Sequence, residues 1–178
     1  MNFDDIPLDN INPETVDQVA KSGGLIPAGK YHVRLYGAGD VTSKTNGTAG
    51  TELTFVILTG AFAGQEVKET LWSSDKTVNR MVLFGSRLGL LKVDPKTKKY
   101  MRVEGKHNFV DCQGAECVIE VSHREYEKKD KTKGIAANVT FGGIWALDDK
   151  DVKDVPKAKA GTKPAAAPPK PKVDTSGI

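Results

Sequence analysis

Apolar residues occupy every second position in two segments near the start of the chain. They are Tyr31, Val33 and Leu35 in the first segment and Leu53, Phe55 and Ile57 in the second. Alternation of this kind, rich in β-branched and aromatic residues, predicts β-strands. The polar stretch 40–50 between them contains Asn46-Gly47 and lacks apolar periodicity, which is typical of a flexible loop. Residues 26–59 are therefore predicted to form a β-hairpin with a long connection.

Three further stretches have the composition of strands. They cover residues 65–72, 115–126 and 135–147. In the first of these, Val67 and Leu71 would face the core, and Lys68 and Trp72 would lie on the opposite face. Gly142-Gly143 interrupts the last strand and predicts a bulge or a sharp bend. The chain is thus predicted to be mainly β, with five strands.

One segment between the third and fourth strands has helical periodicity instead. Over residues 76–91, apolar side chains recur at intervals of three and four, and Ser74-Asp75 supplies an N-cap. The following stretch, 92–114, carries many lysines but little pattern. It is predicted to be a long excursion with one short element around 108–111.

Composition divides the chain into three parts. Residues 1–24 form an N-terminal segment in which Asn12 and Pro13 begin a short helix, and residues 25–147 form one folded domain. Residues 148–178 are so rich in Pro, Ala and Lys that they cannot bury enough apolar surface to offset chain entropy, so this tail is predicted to be disordered. Seven lysines against five aspartates place most of the net charge of +3 on the tail.

The cysteines and histidines do not have the spacing of a metal site. Cys112 and Cys117 are separated by four residues, which matches neither a redox pair nor half of a usual zinc site. If residues 115–126 form a strand, Cys117 and His123 lie about 20 Å apart and cannot share one ion. We therefore expect two reduced, partly buried thiols and no bound metal.

No catalytic motif is complete either. Gly24 to Lys30 imitates a phosphate-binding loop, but Tyr31 stands where Ser or Thr is required, and a strand follows instead of a helix. Pro27 also removes a backbone donor from this loop. The three histidines lie in separate segments, and no serine occupies a nucleophile elbow. The chain is therefore predicted to be no enzyme and to need no cofactor.

The sequence also bears on location. No apolar run approaches the roughly 20 residues that a membrane helix needs, and the first residues lack a basic start and an apolar core. We expect a cytoplasmic protein without a membrane partner.

Five strands with a helix between the third and fourth are in the order of an oligonucleotide/oligosaccharide-binding (OB) barrel. The chain also resembles a family of small bacteriophage proteins, long of unknown function, that are regarded as OB-fold single-stranded-DNA-binding proteins. The resemblance rests on short patterns in matching order: Ile-Pro-Ala-Gly-Lys-Tyr at 26–31, Ser43-Lys44, Gly-Thr-Glu-Leu-Thr-Phe at 50–55, Gly-Gln-Glu-Val at 64–67, Leu71-Trp72 and Asn-Val-Thr-Phe at 138–141.

This resemblance covers about residues 24–147 and implies a role in phage DNA replication, recombination or repair, in the host cytoplasm. It implies single-stranded DNA as the partner. Single-strand binders often end in an acidic tip that recruits replication or recombination proteins, whereas this tail is rich in lysine. The acidic and apolar segment Phe3 to Leu8 is a candidate for such docking from the other end. The oligomeric state is left open.

In an OB barrel, the face of strands 2 and 3 and the flanking loops form a groove in which aromatic residues stack bases and basic residues follow phosphates. The predicted nucleic-acid-binding residues are Arg34, Tyr36, Lys44, Lys68, Trp72, Arg124, Tyr126, Lys128, Lys129, Lys131 and Lys133. For Trp72, a lid over the core is the alternative reading.

A second function belongs to another class. The alternative to DNA binding is that a small β-barrel with a Lys/Pro/Ala tail is a structural or protein-interaction module, such as a virion or assembly factor, that binds no nucleic acid. The two functions differ in where the charges and aromatic residues lie. A concave basic groove favours DNA, and scattered lysines beside a flat apolar patch favour a protein partner.

Overall fold

The computed structural model describes residues 13, 14, 16, 17 and 24–159. Residues 13, 14, 16 and 17 are helical, in agreement with the short N-terminal helix, whose other residues lie outside the described ones. So do the segment Phe3 to Leu8 and residues 160–178. The described strands are β1 Gly29–Thr42, β2 Ala49–Ile57, β3 Glu66–Trp72, β4 Leu91–Val93, β5 Tyr100–Arg102, β6 Glu116–Glu127 and β7 Lys133–Trp145. Helix α1 is Val78–Arg87.

Five strands form one antiparallel sheet in the order β3-β2-β1-β6-β7. The long strand β1 pairs with β2 from Val33 to Thr42 and with β6 from Gly29 to Arg34, so it joins the two halves of the sheet. The mainly β class and the five predicted strands are confirmed. In β3, Val67 and Leu71 are buried, as the alternation predicted.

The loop of the first hairpin is shorter than predicted. Asp40 pairs with Thr51 inside the β1–β2 ladder, because backbone hydrogen bonds need no apolar side chains, and only residues 43–48 connect the strands. This loop is closed by backbone hydrogen bonds, from Ser43 N–H to the Thr48 carbonyl at 2.8 Å and from Gly47 N–H to the Ser43 carbonyl at 2.9 Å. The connection is therefore a compact turn and not a long polar excursion.

Helix α1 is also shorter than the predicted 76–91. Thr77, and not Ser74-Asp75, occupies the N-cap position. At the other end, Gly89 has a φ of 77° and Leu90 N–H donates to the Gly85 carbonyl at 2.8 Å. A left-handed glycine with this hydrogen bond is a Schellman motif, which ends the helix after Arg87.

Residues 92–114 have more structure than predicted. Strands β4 and β5 form a separate two-stranded hairpin. The predicted short element is confirmed as a 3-10 helix over Phe109–Cys112, in which Asn108 and Asp111 form a reciprocal capping box. The strands escaped prediction because their three residues each are too short for a visible alternation.

The predicted bulge at Gly142-Gly143 is present. Ile119 pairs with Ile144 and Val121 with Val139, so residues 140–143 of β7 lie opposite the single residue Glu120. The extra residues push Phe141 outward, and its side chain is 63% exposed. Glycine suits this point because a Cβ at Gly143 would lie 2.9 Å from the Glu120 side chain.

The edge strands β3 and β7 are joined by side chains, and no backbone ladder closes the sheet in the described part. The Glu69 carboxylate accepts from Val139 N–H at 3.0 Å, and Arg80 of α1 donates to Glu69 at 2.8 Å. The Arg80 guanidinium also donates to the carbonyls of Val139 and Phe141. We call this arrangement the Glu69–Arg80 bridge.

The tail boundary predicted at residue 148 is wrong, because residues 148–159 pack against the sheet. Val152 lies in the 3-10 helix Lys150–Val152 and is buried. Further along, Ala158 N–H donates to Nδ1 of His32 on β1 at 2.9 Å. The burial of Val152 was not predicted, because residues 148–178 as a whole are rich in Pro, Ala and Lys.

Candidate nucleic-acid interface

The outer face of β1, β2 and β3 contains an open concavity of about 470 Å³. Tyr36 and Lys68 both line it, so the structure brings two of the predicted residues together. The ladder between β1 and β2 shifts register between Leu35 and Gly37. Tyr36 occupies this bulge and is 65% exposed. An exposed phenol beside a shallow groove offers a ring on which a base could stack.

The charge of this concavity is not basic. Asp40, Glu52 and Glu66 line it together with a single lysine, Lys68. The Lys68 ammonium forms an exposed ion pair with Glu52 at 3.0 Å. A phosphate at this place would meet more carboxylates than cations, so the concavity alone does not suit a phosphate backbone.

Trp72 lies at the end of β3 in a second cleft, of about 300 Å³. The cleft is lined by Ser43, Asn46 and Thr48 from the β1–β2 loop and by Ser74 and Thr77 from the segment before α1. The Trp72 ring packs over Gly50, where a Cβ would lie 2.7 Å from a ring carbon. The indole is thus half-buried, with one part against the sheet and another part lining the cleft.

Polar groups surround this indole. Asn46 accepts from Thr48 N–H through Oδ1 at 3.1 Å, which leaves the donors of its amide group for a ligand. Lys44 is exposed in the same loop, directly beside Ser43. The cleft therefore brings the ring of Trp72 on β3 beside the amide of Asn46, and Lys44 is exposed in the adjoining loop, so that the groups that bind a nucleotide are available here.

Arg34 is held in an ion pair inside the fold. Its guanidinium donates to the Glu116 carboxylate at 2.6 and 3.1 Å, and His32 contacts the other oxygen of that carboxylate at 3.0 Å. Burial, the largest single effect, raises the pKa of Glu116, but the hydrogen bonds and charge of Arg34 together with those of His32 outweigh it and hold the pKa below its usual value. Arg34 thus stabilises the β1–β6 pair, and its role as a phosphate ligand is correspondingly weaker.

The remaining predicted residues lie on the β6–β7 hairpin. Strand β1 pairs with β6 only as far as Val121, so the hairpin extends beyond it as a two-stranded ribbon. Its predicted residues are all exposed: Arg124, Tyr126, Lys128, Lys129, Lys131 and Lys133. The Tyr126 ring packs over Gly134, where a Cβ would lie 2.6 Å from a ring carbon. The ribbon carries a separate basic group and does not share the lining of either cleft described above.

Two exposed aromatic residues were missed in the sequence. Phe141 is exposed on the β7 bulge, 5.3 Å from the Arg80 guanidinium, and Tyr100 is 56% exposed on β5. The glycine pair beside Phe141 and the lysines beside Tyr100 were visible in the sequence. Neither the glycine pair nor the lysines indicate which side chain of a bulge or of a short hairpin is exposed.

No metal or membrane site occurs among the residues that the structure describes. Cys112 and Cys117 are free and buried, and burial raises the pKa of both thiols. Within the described ranges, no cluster of three or more metal-ligating side chains is found, and no helix is long and apolar enough to span a membrane. The imitation phosphate loop is a turn into β1, in which the Tyr31 hydroxyl donates to the Pro27 carbonyl at 2.8 Å.

Comparison with known proteins does not assign this chain to a family. No protein-family model matches the chain, and no curated protein matches it at a significant level.

Proposed function

We propose that the chain is a non-catalytic single-stranded-DNA-binding protein with an OB-like barrel, acting in DNA replication, recombination or repair of a bacteriophage. The order of elements supports the barrel. Strand β1 lies between its sequence neighbour β2 and the fourth strand of the sheet, β6, and α1 follows β3. The Glu69–Arg80 bridge brings β3 and β7 together where an OB barrel would close.

The observation that carries the proposal is the cleft at Trp72. A half-buried indole and an amide with spare donors line this cleft, and Lys44 is exposed in the loop that forms one of its sides. That is the position of the groove in OB proteins, between strands 2 and 3 and the loop that connects strands 1 and 2. Bases would stack on Trp72 and Tyr36.

The phosphates would follow the rim and not the concavity. The carboxylates of Asp40, Glu52 and Glu66 repel the phosphate backbone of DNA from the concavity on β1, β2 and β3. Lysines outside the concavity, on the β1–β2 loop and on the β6–β7 ribbon, provide the positive charge that the phosphates need. This division assigns the bases to the sheet and the backbone to the loops.

The test is binding to fluorescent oligo-dT, followed by anisotropy. The protein should bind at ~50 mM salt, bind a duplex of equal length much more weakly, and lose affinity as salt rises. Trp72→Ala should weaken binding by ~1–3 kcal/mol without changing the salt slope, because stacking is lost and no phosphate contact is.

Trp145→Phe is the matched control, since that indole contacts Lys30 at 4.4 Å and does not line the Trp72 cleft. It should bind like the parent. Equal affinity for duplex would replace the proposal with general polyanion binding, and a Trp72→Ala protein with parental affinity would remove Trp72 from the site.

The second candidate, a structural or protein-interaction module, is favoured by the acidic concavity around Tyr36. Three carboxylates beside an exposed phenol suit a basic protein segment better than a nucleic acid. If the parent protein does not bind oligo-dT at ~50 mM salt, a structural or protein-interaction module becomes the favoured function.

A further inference from the structure

The β4–β5 hairpin, residues 91–102, is a strongly basic surface segment of the described part of the chain and lies outside the proposed groove. It holds five basic residues and one acidic residue, whereas residues 124–133 of the β6–β7 ribbon hold five basic and three acidic ones. Every residue from 95 to 102 is exposed. We call this segment the basic hairpin; its cations are Lys92, Lys96, Lys98, Lys99 and Arg102.

The turn of the basic hairpin is held by hydrogen bonds. The Asp94 carboxylate accepts from Lys96 N–H at 2.8 Å, and its backbone accepts from Lys98 N–H and donates to the Lys99 carbonyl, both at 2.9 Å. Lys98 adopts a left-handed φ of 57°. Three lysines are therefore presented on a defined turn, so their backbone loses little further freedom when a ligand binds.

Aromatic and apolar side chains lie among these cations. Tyr100 pairs with Val93 and Met101 with Lys92 across the two strands. All three apolar side chains are exposed although they are large. Exposed rings interleaved with lysines are the composition with which proteins bind single strands, because the rings stack on bases and the lysines meet phosphates.

The basic hairpin has a fixed position relative to the proposed groove. Leu90 N–H donates to the Gly85 carbonyl of α1, and Val103 N–H donates to the Leu90 carbonyl, which ties the base of the hairpin to the helix. Trp72 lies before α1 and the hairpin after it. The ten residues of α1 span about 15 Å at 1.5 Å per residue.

We propose that the basic hairpin is a second contact surface for the same nucleic-acid strand, with Tyr100 stacking a base and Lys96, Lys98 and Lys99 meeting phosphates. This inference rests on the proposed function. Because the ten residues of α1 separate Trp72 from the hairpin along the chain, we expect the second surface to act on long strands alone. It lengthens the site beyond what the barrel face covers.

The test compares two strand lengths and two triple variants. Oligo-dT of about 6 nucleotides fits one OB face, and oligo-dT of about 25 exceeds it. Lys96→Gln, Lys98→Gln and Lys99→Gln together keep the side-chain stems but remove three charges. Lys150→Gln, Lys153→Gln and Lys159→Gln remove three charges from exposed positions in the segment that packs on β1, away from the lining of the Trp72 cleft, and form the matched control.

The hairpin variant should bind the short strand like the parent and the long strand with a salt slope smaller by up to about 2, from ~0.7 per lost phosphate contact. Tyr100→Ala should weaken long-strand binding about tenfold with an unchanged slope. The matched control should resemble the parent in both slopes. Circular dichroism should give the same melting temperature for all variants, because the exchanged side chains are exposed.

Equal long-strand slopes for the hairpin variant and the parent would overturn the inference and leave the proposed function standing. So would an equal loss in the hairpin variant and the matched control, which would mean general electrostatic attraction. A parent that binds neither strand would instead overturn the proposed function.

Discussion

At the scale of single residues, His32 has the most constrained environment in the described chain. It is the one polar or charged side chain among the buried residues there. Its Nδ1 accepts from Ala158 N–H at 2.9 Å, so Nε2 carries the proton that is donated to Glu116 at 3.0 Å. A protonated Nδ1 could not accept, and the neutral ring is therefore the form that fits.

This geometry predicts a loss of stability on acidification. Burial lowers the pKa of His32 below its usual 6.5, against the opposing effect of Glu116 and together with Lys157 and Arg34. The unfolded chain then binds a proton more readily than the folded one, so stability is present above pH 6.5 and declines as the pH falls through and below that value. Urea unfolding at a series of pH values measures the effect.

His32→Gln is the control for this prediction. Glutamine cannot titrate, so the variant should be less stable than the parent at neutral pH but should show a weaker pH dependence around pH 6.5. His107 and His123 remain in the variant. An undiminished pH dependence would show that His32 is not its source.

At the scale of elements, the C-terminal segment tests the corrected domain boundary. Residues 148–159 contact the sheet, including through the hydrogen bond from the Thr59 hydroxyl to the Pro156 carbonyl at 3.1 Å, whereas the Pro-, Ala- and Lys-rich composition of residues 160–178 predicts little burial of apolar surface. Deletion of 160–178 should leave the free energy of unfolding unchanged. Deletion of 148–178 should lower it by about 2–4 kcal/mol, because it exposes the site of Val152 and removes hydrogen bonds.

Both truncations can be compared by urea denaturation, with Val152→Ala in the full chain as a third sample. That substitution should cost about 2 kcal/mol, since it removes two buried methyl groups and leaves a cavity. Equal stability of the two truncated proteins would mean that residues 148–159 contribute nothing to the fold.

The long elements that the sequence predicted share one property: each repeats its pattern over several periods. Strand β3 alternates over seven residues, and Val67 and Leu71 are buried as expected. Strands β4 and β5 span three residues each and are defined by pairing with each other, which a local pattern does not contain. Val152 is the one buried residue among residues 148–159, so no repeated apolar pattern predicted its burial.

At the scale of the whole molecule, the Glu69–Arg80 bridge holds the two edges of the sheet together. Both side chains are only 11% exposed. Removing one partner of a buried pair leaves the other charge uncompensated, which typically costs 3–5 kcal/mol. We therefore expect Arg80→Met to lower the free energy of unfolding by about 3 kcal/mol, measured in urea.

Amide hydrogen exchange gives a local readout of the same bridge. Val139 N–H donates to Glu69 and should exchange faster in a Glu69→Ala protein, whereas the amides in the centre of the β1–β2 ladder should not change. Lys68→Ala removes an exposed ion pair on the same strand and is the control, with an expected cost of about 0–1 kcal/mol. A similar cost for Arg80→Met and Lys68→Ala would contradict the role of the bridge.

The structure brings together only some of the predicted site residues, and the reason lies at the scale of the whole molecule. Tyr36 and Lys68 meet in one concavity, as the OB order implied. Asp40, Glu52 and Glu66 meet there too, from three different strands, and turn the face acidic. The sequence predicted Glu66 on a strand but Asp40 in the loop of the first hairpin, and the sign of a surface depends on which strands extend into it and become neighbours.

The double pairing of β1 has a consequence for the order of folding. Its pairing with β2 closes a turn of residues 43–48, whereas its pairing with β6 joins Arg34 to Glu116, 82 positions away. Closure entropy grows with the logarithm of loop length, so the second step carries an additional barrier of about 2 kcal/mol. One strand thus takes part both in a local contact that closes quickly and in a distant contact that closes slowly, and the first hairpin forms the template on which the distant half assembles.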